Sequence, residues 1–221
     1  MDGKPITIYW AGDLFDFKDL TGNVEMAAAV EARSAGKYQV KLPQLSESNS
    51  LRTITAIRDA DLELLFSCDC IVANFDGCDL DSGTVVEFCF AKMLDLPAVL
   101  LRTDFRTGCD QGPGGDPWNL MCSGYPRTNT VVLHGMQVFH QHYKGAEDWK
   151  NKLDSYRNDI AERVIHALDQ SIAADPVFPV AVMEEQYARA AAAAGGSLPA
   201  LFPRARIEEL LASKMAKKIY R

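Results

Sequence analysis

Short apolar runs alternate with helix-like segments along most of the chain, and this alternation constrains the fold more than any other feature. Runs rich in β-branched and aromatic residues that end near glycine, proline or aspartate are typical of buried strands. They lie at 6–12, 38–43, 70–75, 97–101 and 130–134. Strands that alternate with helices form βαβ units. The sequence therefore predicts an α/β fold with a doubly wound, mostly parallel five-stranded sheet of the Rossmann or flavodoxin-like kind, covered by helices on both faces.

Helical spacing predicts the segments between and after these strands. Predicted helices cover 24–35, which Gly36 ends, then 54–66, 84–95 and 146–171. Residues 1–171 are therefore expected to form one α/β domain.

The composition changes after this domain. An alanine-rich stretch at 186–194 precedes the turn sequence GGSLP, and a short amphipathic helix follows at 207–219. We expect residues 172–221 to form a helical C-terminal extension of unknown role.

Composition narrows the possible partners. A net charge of −7 and a pI near 5.1 argue against a nucleic acid polymer, which calls for a basic face. No apolar run approaches the roughly 18 residues of a membrane span, and no signal-peptide pattern opens the chain. The six cysteines form no C-x-x-C pair, so we expect mostly buried, reduced thiols. The expected location is the cytoplasm, with no membrane partner.

Several common catalytic motifs are missing from the sequence. There is no phosphate loop, and the first strand ends in AGDLF instead of G-x-G-x-x-G. There is no G-x-S-x-G nucleophile elbow. His140 and His142 would face one side of a strand and could bind a metal there, but nearby ligands are lacking and a pair without metal is favoured.

Carboxylates are the chemistry that remains. Asp61, Asp76, Asp79, Asp81 and Glu87 surround the end of the predicted third strand. Each has a structural alternative: Asp76 and Asp79 suit a turn, Asp81 suits a helix N-terminus, and Asp61 suits a solvated helix face.

Glu87 stands within the apolar run DSGTVVEFCFAK, where an unpaired glutamate would be unfavourable. One interpretation is a capping box, in which Thr84 and Glu87 satisfy backbone amides at a helix start. The other is a carboxylate at the floor of an active site. The residues alone leave both open.

The topology indicates where a ligand would bind. Parallel sheets bind ligands at the carboxyl ends of their strands, which points to residues 9–13, 76–87 and 103–119. The last of these is long and glycine-rich, which is typical of a mobile lid or binding loop. We expect the three segments to converge.

Four segments in this order resemble the nucleoside 2-deoxyribosyltransferase family. They are IYWAG in the first strand, DADLELLFSCDCIVANFDG, DLDSGTVVEFCFAK with an aspartate six residues before the glutamate, and PWNLM after the long loop. The resemblance runs from about residue 5 to 145. Residues 172–221 have no counterpart in it.

The resemblance implies roles for particular residues. Glu87 matches the nucleophile, and Tyr9 the tyrosine that orients it. Asp61 and Asp81 match aspartates that hold the base and sugar and assist proton transfer. Asn119 and Met121 match residues that reach into a neighbouring subunit's pocket. Further candidate substrate contacts are Gly12, Gln44 and Asp76, of which Gln44 is the least certain match.

The resemblance also implies a reaction. The 2-deoxyribosyl group would pass between nucleobases through a covalent glycosyl-glutamate, with retained configuration. Deoxynucleosides and free nucleobases are the expected ligands, without a metal or organic cofactor, and a homo-oligomer built from dimers is expected to share active sites. We expect Glu87 to be ionised at pH 7, because a helix N-terminus favours an anion.

Two alternatives stay open at this point. One is an N-glycosidase that hydrolyses 2′-deoxynucleoside 5′-monophosphates, which would need serines or cations such as Arg102 and Arg106 around the phosphate. The other is a nucleotide-binding module without catalysis.

Overall fold

Five strands form one all-parallel sheet in the order β2-β1-β3-β4-β5. The computed structural model describes residues 4–46, 53–106, 114–143 and 148–221. The α/β prediction is confirmed, and the strand order is that of flavodoxin-like folds, with a switch point between β1 and β3. The strands are β1 (Ile6–Ala11), β2 (Tyr38–Lys41), β3 (Cys70–Asn74), β4 (Ala98–Arg102) and β5 (Thr128–Val132).

Helices cover both faces of this sheet. On one face, α1 and α6 pack against strand residues such as Ile8, Trp10 and Val72. On the other face, α3, α4, α7 and α9 pack against Tyr9 and Ile71, whose side chains alternate with the first set along each strand. The helices are α1 (Phe17–Arg33), α2 (Pro43–Ser46), α3 (Ile54–Ser67), α4 (Ser82–Met93), α5 (Gly135–Tyr143), α6 (Trp149–Ala173), α7 (Val180–Ala194), α8 (Leu198–Leu201) and α9 (Arg204–Ala216).

Helix α1 begins seven residues before its predicted start. Asp16 caps it by accepting hydrogen bonds from the amides of Lys18 and Asp19. The first residue, Phe17, is exposed, so apolar periodicity gave no signal of this turn. His140 and His142 lie in α5, a helix that the sequence did not predict, and not on a strand.

The capping-box interpretation of Glu87 is wrong. Helix α4 begins at Ser82, and its N-cap is Asp81, whose Oδ2 accepts from the amide of Thr84 at 2.7 Å and from its hydroxyl at 2.8 Å. Glu87 therefore lies in the second turn of the helix, beyond the free amides of the first turn. Its side chain is available for another interaction.

The C-terminal helices share a core with the sheet. Met183, Tyr187 and Ile207 belong to the same apolar cluster as Phe66 of α3 and Phe88 of α4. The ring of Tyr187 meets that of Phe66 edge-on, with 6.2 Å between ring centroids.

Two groups of buried charges tie these helices to the loops at the amino ends of the strands. Asp69 lies 3.8 Å from the ammonium of Lys214 and 2.6 Å from that of Lys217, and it also accepts from Thr7. Arg127 donates to the backbone oxygens of Asp95 and Ile219. The last helix therefore contributes both charge and apolar surface to the interior.

Some general expectations can be compared with the described residues. None of the described helices is long and apolar enough to cross a membrane. Cys68, Cys70 and Cys122 are buried and free, as expected, whereas Cys78 and Cys89 are exposed, contrary to expectation.

The Asp69 cluster yields a test of the C-terminal packing. Asp69 and Lys214 are almost fully buried, so Asp69→Asn leaves an ammonium in the interior without its full counter-charge. We expect a loss of about 3 kcal/mol in the free energy of unfolding, measured by urea denaturation at pH 7.

Asp175→Asn is the matched control, because it removes a carboxylate that is 95% exposed and pairs with Arg221 at the surface. That change should cost less than about 1 kcal/mol. Equal stability of the two variants would contradict the role given to the buried cluster.

Candidate active site

Tyr9 and Glu87 form the centre of the site. Tyr9 is completely buried on β1, on the sheet face that packs against α4. Its hydroxyl donates a hydrogen bond to Oε1 of Glu87 at 2.5 Å. This contact joins residues 78 positions apart in the sequence and fixes the direction of the carboxyl group.

The surroundings of Glu87 oppose its negative charge. Burial raises the pKa of Glu87 to about 7, and the charges of Asp61 and Asp81 act in the same direction. The hydrogen bond from Tyr9 acts against this rise, because it stabilises the ionised form. The expectation that the helix N-terminus keeps Glu87 fully ionised at pH 7 is therefore wrong; near neutral pH both forms are populated.

Tyr9 stays protonated under the same conditions. Burial raises the pKa of its phenol well above the ordinary value, and the adjacent Glu87 carboxylate raises it further. Tyr9 is thus a hydrogen-bond donor to Glu87 at any pH near neutrality.

Glu87 opens into a cleft of about 640 Å³, which we call the Glu87 cleft. This volume is within the range of small-molecule sites. The cleft lies between α3, α4 and the C-terminal end of α7. Its polar lining includes Arg58, Asp61, Ser82 and Glu87, and its apolar lining includes Ile54, Ile57, Leu62, Val86, Phe90, Ala193 and Ala194.

Helical spacing explains why α3 contributes both an acid and a base to the cleft. Arg58 and Asp61 are three residues apart, so they lie on the same face of the helix. Arg58 donates to Asp59, which is buried and also accepts from the amide and hydroxyl of Ser197. Although burial alone would raise it, these hydrogen bonds lower the pKa of Asp59. Arg58 is thereby held beside Asp61 by an ionised carboxylate.

Asn119 and Met121 line an adjoining groove of about 700 Å³, which we call the Asn119 groove. Ser82 and Val86 line both cavities, so the two share a rim. The side-chain oxygen of Asn119 accepts from the amide of Met121 at 2.9 Å, and this fixes a short 3-10 turn. Met121 is 71% exposed and points away from its own core.

Arg102 and Arg106 are occupied by contacts within the chain. Buried Arg102 donates to the backbone oxygens of Phe75, Gly77 and Arg106. Arg106 pairs with Asp104, and its hydrogen bonds lower the pKa of that carboxyl group. Both guanidinium groups therefore hold together the loops that follow β3 and β4.

The other candidate contacts lie elsewhere at the strand ends. Asp76 accepts from the amide and hydroxyl of Thr103 at 2.6 and 2.7 Å, which agrees with the structural alternative of loop formation. Gln44 donates to the backbone of Leu20 at 2.9 Å. A Cβ on Gly12 would approach that of Asn74 to 3.2 Å. Their proposed contacts with substrate stay predictions.

Sequence reasoning missed Arg58 and the two alanines Ala193 and Ala194 as lining residues of the Glu87 cleft, and it included Asp13 only within the segment 9–13. Arg58 was detectable from its spacing to Asp61. Asp13 directly follows β1; burial raises its pKa, and its Oδ1 is buried without a partner among the described residues. Asp13 and Asp76 line a third cavity, of about 300 Å³, on the face of α1 and α6. Ala193 and Ala194 gave no chemical signal in the sequence.

Of the glycine-rich loop at 103–119, residues 107–113 lie outside the described residues, as do residues 47–52 near Gln44. Within the described parts of the chain, no group of three or more His, Cys, Asp or Glu side chains is arranged to hold a metal ion.

Comparisons with known proteins bear on the whole arrangement. A family model described as nucleoside 2-deoxyribosyltransferase matches residues 8–121, just over half of the chain. No curated protein sequence matches the chain.

Among solved structures, a conserved protein from Enterococcus faecalis V583 is 22% identical, with a TM-score of 0.51 over 72% of this chain and 99% of its own. This similarity supports the fold. A 2-desoxiribosyltransferase from Leishmania mexicana is 23% identical, with a TM-score of 0.46 over 63% of this chain and 99% of its own. The matched family segment contains Tyr9, Asp61, Asp81, Glu87 and Asn119, and on this evidence the chain belongs to the nucleoside 2-deoxyribosyltransferase family.

Proposed function

We propose that the protein transfers the 2-deoxyribosyl group from a deoxynucleoside to a free nucleobase through a covalent intermediate on Glu87. The observation that carries this proposal is the 2.5 Å hydrogen bond from Tyr9 to Glu87 at the floor of a cleft that also contains Asp61. It supplies an aimed carboxylate beside a second carboxyl group, which is what a retaining glycosyl transfer needs.

The first step forms the glycosyl-enzyme. An oxygen of ionised Glu87 attacks C1′ of the deoxynucleoside, and the C1′–N bond breaks with its electron pair leaving on the base. We assign Asp61 as the group that delivers a proton to the departing base, because it lines the Glu87 cleft. Asp81 receives two hydrogen bonds at Oδ2 and fixes the start of α4; we assign it to positioning.

The second step reverses the first with a different base. A nitrogen of the incoming base attacks C1′ and gives its proton to ionised Asp61, and the ester bond to Glu87 breaks. Two inversions at C1′ retain the configuration of the nucleoside. The carboxylates also stabilise the positive charge that develops on the sugar in each transition state.

The shifted pKa of Glu87 fits a residue that must be both a nucleophile and a leaving group. A largely buried carboxylate is poorly solvated and therefore reactive, whereas the hydrogen bond from Tyr9 keeps enough of it ionised near pH 7. Tyr9 also stabilises the carboxylate when the ester breaks.

Hydrolysis of a deoxynucleoside 5′-monophosphate is the second candidate. Arg58 favours it, since this guanidinium lines the cleft and its side chain is about half exposed. Arg102 and Arg106, which the sequence offered as phosphate ligands, instead bind the chain's own backbone and Asp104. We favour transfer because the groove next to the cleft presents Asn119, an amide suited to a neutral 5′-hydroxyl.

We further propose that the active unit is an oligomer whose subunits share sites. Val86 and Met121 line the Asn119 groove and are each at least half exposed, and so is Leu120, which precedes Met121 in the chain. A second copy that covers them would remove apolar surface from water and exclude water from the glycosyl ester.

The assay of transfer uses deoxyinosine and free adenine, with deoxyadenosine as the product detected by chromatography. Glu87→Gln should lower its formation about a thousandfold or more, while circular dichroism shows an intact fold. Glu185→Gln, which removes an exposed carboxylate on α7, is the matched control and should transfer at the normal rate.

Each alternative product pattern has a defined meaning. Deoxyribose without deoxyadenosine, or turnover restricted to 5′-monophosphates, would support the hydrolase. Near-normal transfer by Glu87→Gln would remove this residue from its role.

The pH dependence tests the hydrogen bond from Tyr9. In the wild-type protein the ascending limb of kcat/KM against pH should be centred at about pH 7, where Glu87 ionises. Tyr9→Phe removes a hydrogen-bond donor that stabilises the ionised form of Glu87, so the pKa of Glu87 rises. The ascending limb should therefore move to higher pH by on the order of one unit.

Tyr38→Phe is the control, because Tyr38 also donates to a carboxylate, Asp169, but at the opposite end of the sheet. The ascending limb of kcat/KM for Tyr38→Phe should lie at the same pH as that of the wild-type protein. An unshifted limb in Tyr9→Phe would mean that Glu87 is not the group whose ionisation controls the rate.

The shared site is tested by Met121→Glu. A glutamate buried at the interface should dissociate the oligomer and reduce the rate of transfer at least about tenfold. Sedimentation measures the oligomeric state, and the transfer assay is run on the same samples. Met136→Glu places the same charge at a methionine of similar exposure on α5 and should change neither. A monomeric wild-type protein with full activity would contradict the proposal.

A further inference from the structure

The C-terminal end of α7 forms one wall of the Glu87 cleft. Ala193 and Ala194 line the same cavity as Asp61 and Glu87. These alanines belong to the segment after residue 172, for which the sequence indicated no role. The catalytic carboxylates come from the α/β part of the chain, and the wall opposite them comes from the C-terminal segment.

Buried side chains of α7 fix this wall to the core of the protein. Met183, Tyr187 and Ala190 of α7 are completely buried against the core that includes Phe66 and Phe88. Because a protein interior is close-packed, these buried side chains leave α7 little freedom to move relative to the core.

The turn after α7 holds the wall from its other side. Ser197 donates from its amide at 2.6 Å and its hydroxyl at 2.8 Å to the buried carboxylate of Asp59 on α3. Gly196 passes directly over this contact with a φ of +57°, and a Cβ there would lie 2.6 Å from Nη2 of Arg58. The positive φ and this close approach favour glycine at position 196, and the two hydrogen bonds from Ser197 to Asp59 join α3 to the end of α7.

The chemistry of the cleft indicates what it takes. Ile57, Leu62 and Phe90 supply apolar surface for a flat ring, while Asp61 and Arg58 supply an acceptor and a donor for its edge. Alanine is the smallest side chain that leaves a helix intact, and two of them in succession leave the cleft wide at this wall.

Resting on the proposed function, we propose that Ala193 and Ala194 determine the size of the nucleobase that the cleft accepts, and that their small side chains make room for a two-ring base. The C-terminal segment is then part of the substrate site and sets its specificity. The residues that catalyse the transfer come from the α/β part of the chain, and the residues that limit the size of the base come from the C-terminal segment.

Ala194→Leu tests this proposal, with Ala192→Leu as the matched control. Ala192 belongs to the same alanine run but is exposed and does not line the cleft. We expect Ala194→Leu to raise KM for purine deoxynucleosides about tenfold or more, with a smaller change in kcat and in KM for pyrimidine deoxynucleosides. Ala192→Leu should stay within about twofold of wild type for all substrates, since both replacements preserve helix propensity.

A binding measurement separates this inference from the proposed reaction. Calorimetric titration with deoxyadenosine needs no turnover and should show the same weakening in Ala194→Leu. If Ala194→Leu weakens binding but the wild-type protein neither transfers nor hydrolyses, the proposed reaction is wrong and the proposed role of the alanines stands. If Ala194→Leu transfers normally, with unchanged KM and unchanged binding for purine deoxynucleosides, the proposed role of the alanines is wrong and the proposed reaction stands.

Folding of the variants is checked by circular dichroism. If Ala194→Leu fails to fold, Ala193→Leu carries the test, because Ala193 is exposed to the cleft and a larger side chain there displaces no core residue. Unchanged purine KM and deoxyadenosine binding in Ala193→Leu would then overturn the proposal.

Discussion

The ionisation of one carboxyl group is the constraint around which this protein is built. Glu87 lies where burial and two neighbouring carboxylates disfavour its charge, and the phenol of Tyr9 offsets part of that cost with one short hydrogen bond. Tyr9 can do this only because it is buried on β1 and stays protonated itself. Helix α4 must also begin in the right place, and the cap from Asp81 sets that start. The site thus depends on one strand, one helix and one cap residue.

A parallel sheet supplies such a site at little structural cost. Its strands end at one edge, so side chains from segments far apart in sequence meet there without long loops. The same edge gathers negative charge, which is unfavourable for folding unless donors are present. The carboxylate of Asp76 accepts hydrogen bonds from the backbone amides of Thr103 and Asp104, and that of Asp81 accepts one from the amide of Thr84. Arg102 serves the same edge by binding backbone oxygens of the loops. These contacts leave Glu87 and Asp61 as the carboxyl groups that face the cleft.

The sequence was informative wherever a local pattern determines structure. Strands with continuous apolar runs, such as 70–75, were predicted to within a residue of their observed ends, because burial on both faces leaves a strong signal. The start of α1 was missed, since it depends on a cap at Asp16 and on exposed residues. The capping box at Thr84 failed for a related reason: Asp81 binds both the amide and the hydroxyl of Thr84 and begins the helix earlier. The raised pKa of Glu87 follows from tertiary burial, which no local pattern encodes.

The C-terminal helices show most clearly what a single sequence cannot reveal. Alanines in a helix carry no chemical signature, and their importance arises only because α7 ends beside Asp61 and Glu87. What places them there is a chain of buried contacts: Lys214 with Asp69, Arg127 with the backbone of Ile219, and Ser197 with Asp59. Each of these joins residues more than 90 positions apart, and each would be costly to break. A segment anchored at three separate points does not serve as a loose appendage, because its position relative to Asp61 and Glu87 is fixed by the same interactions that stabilise the fold.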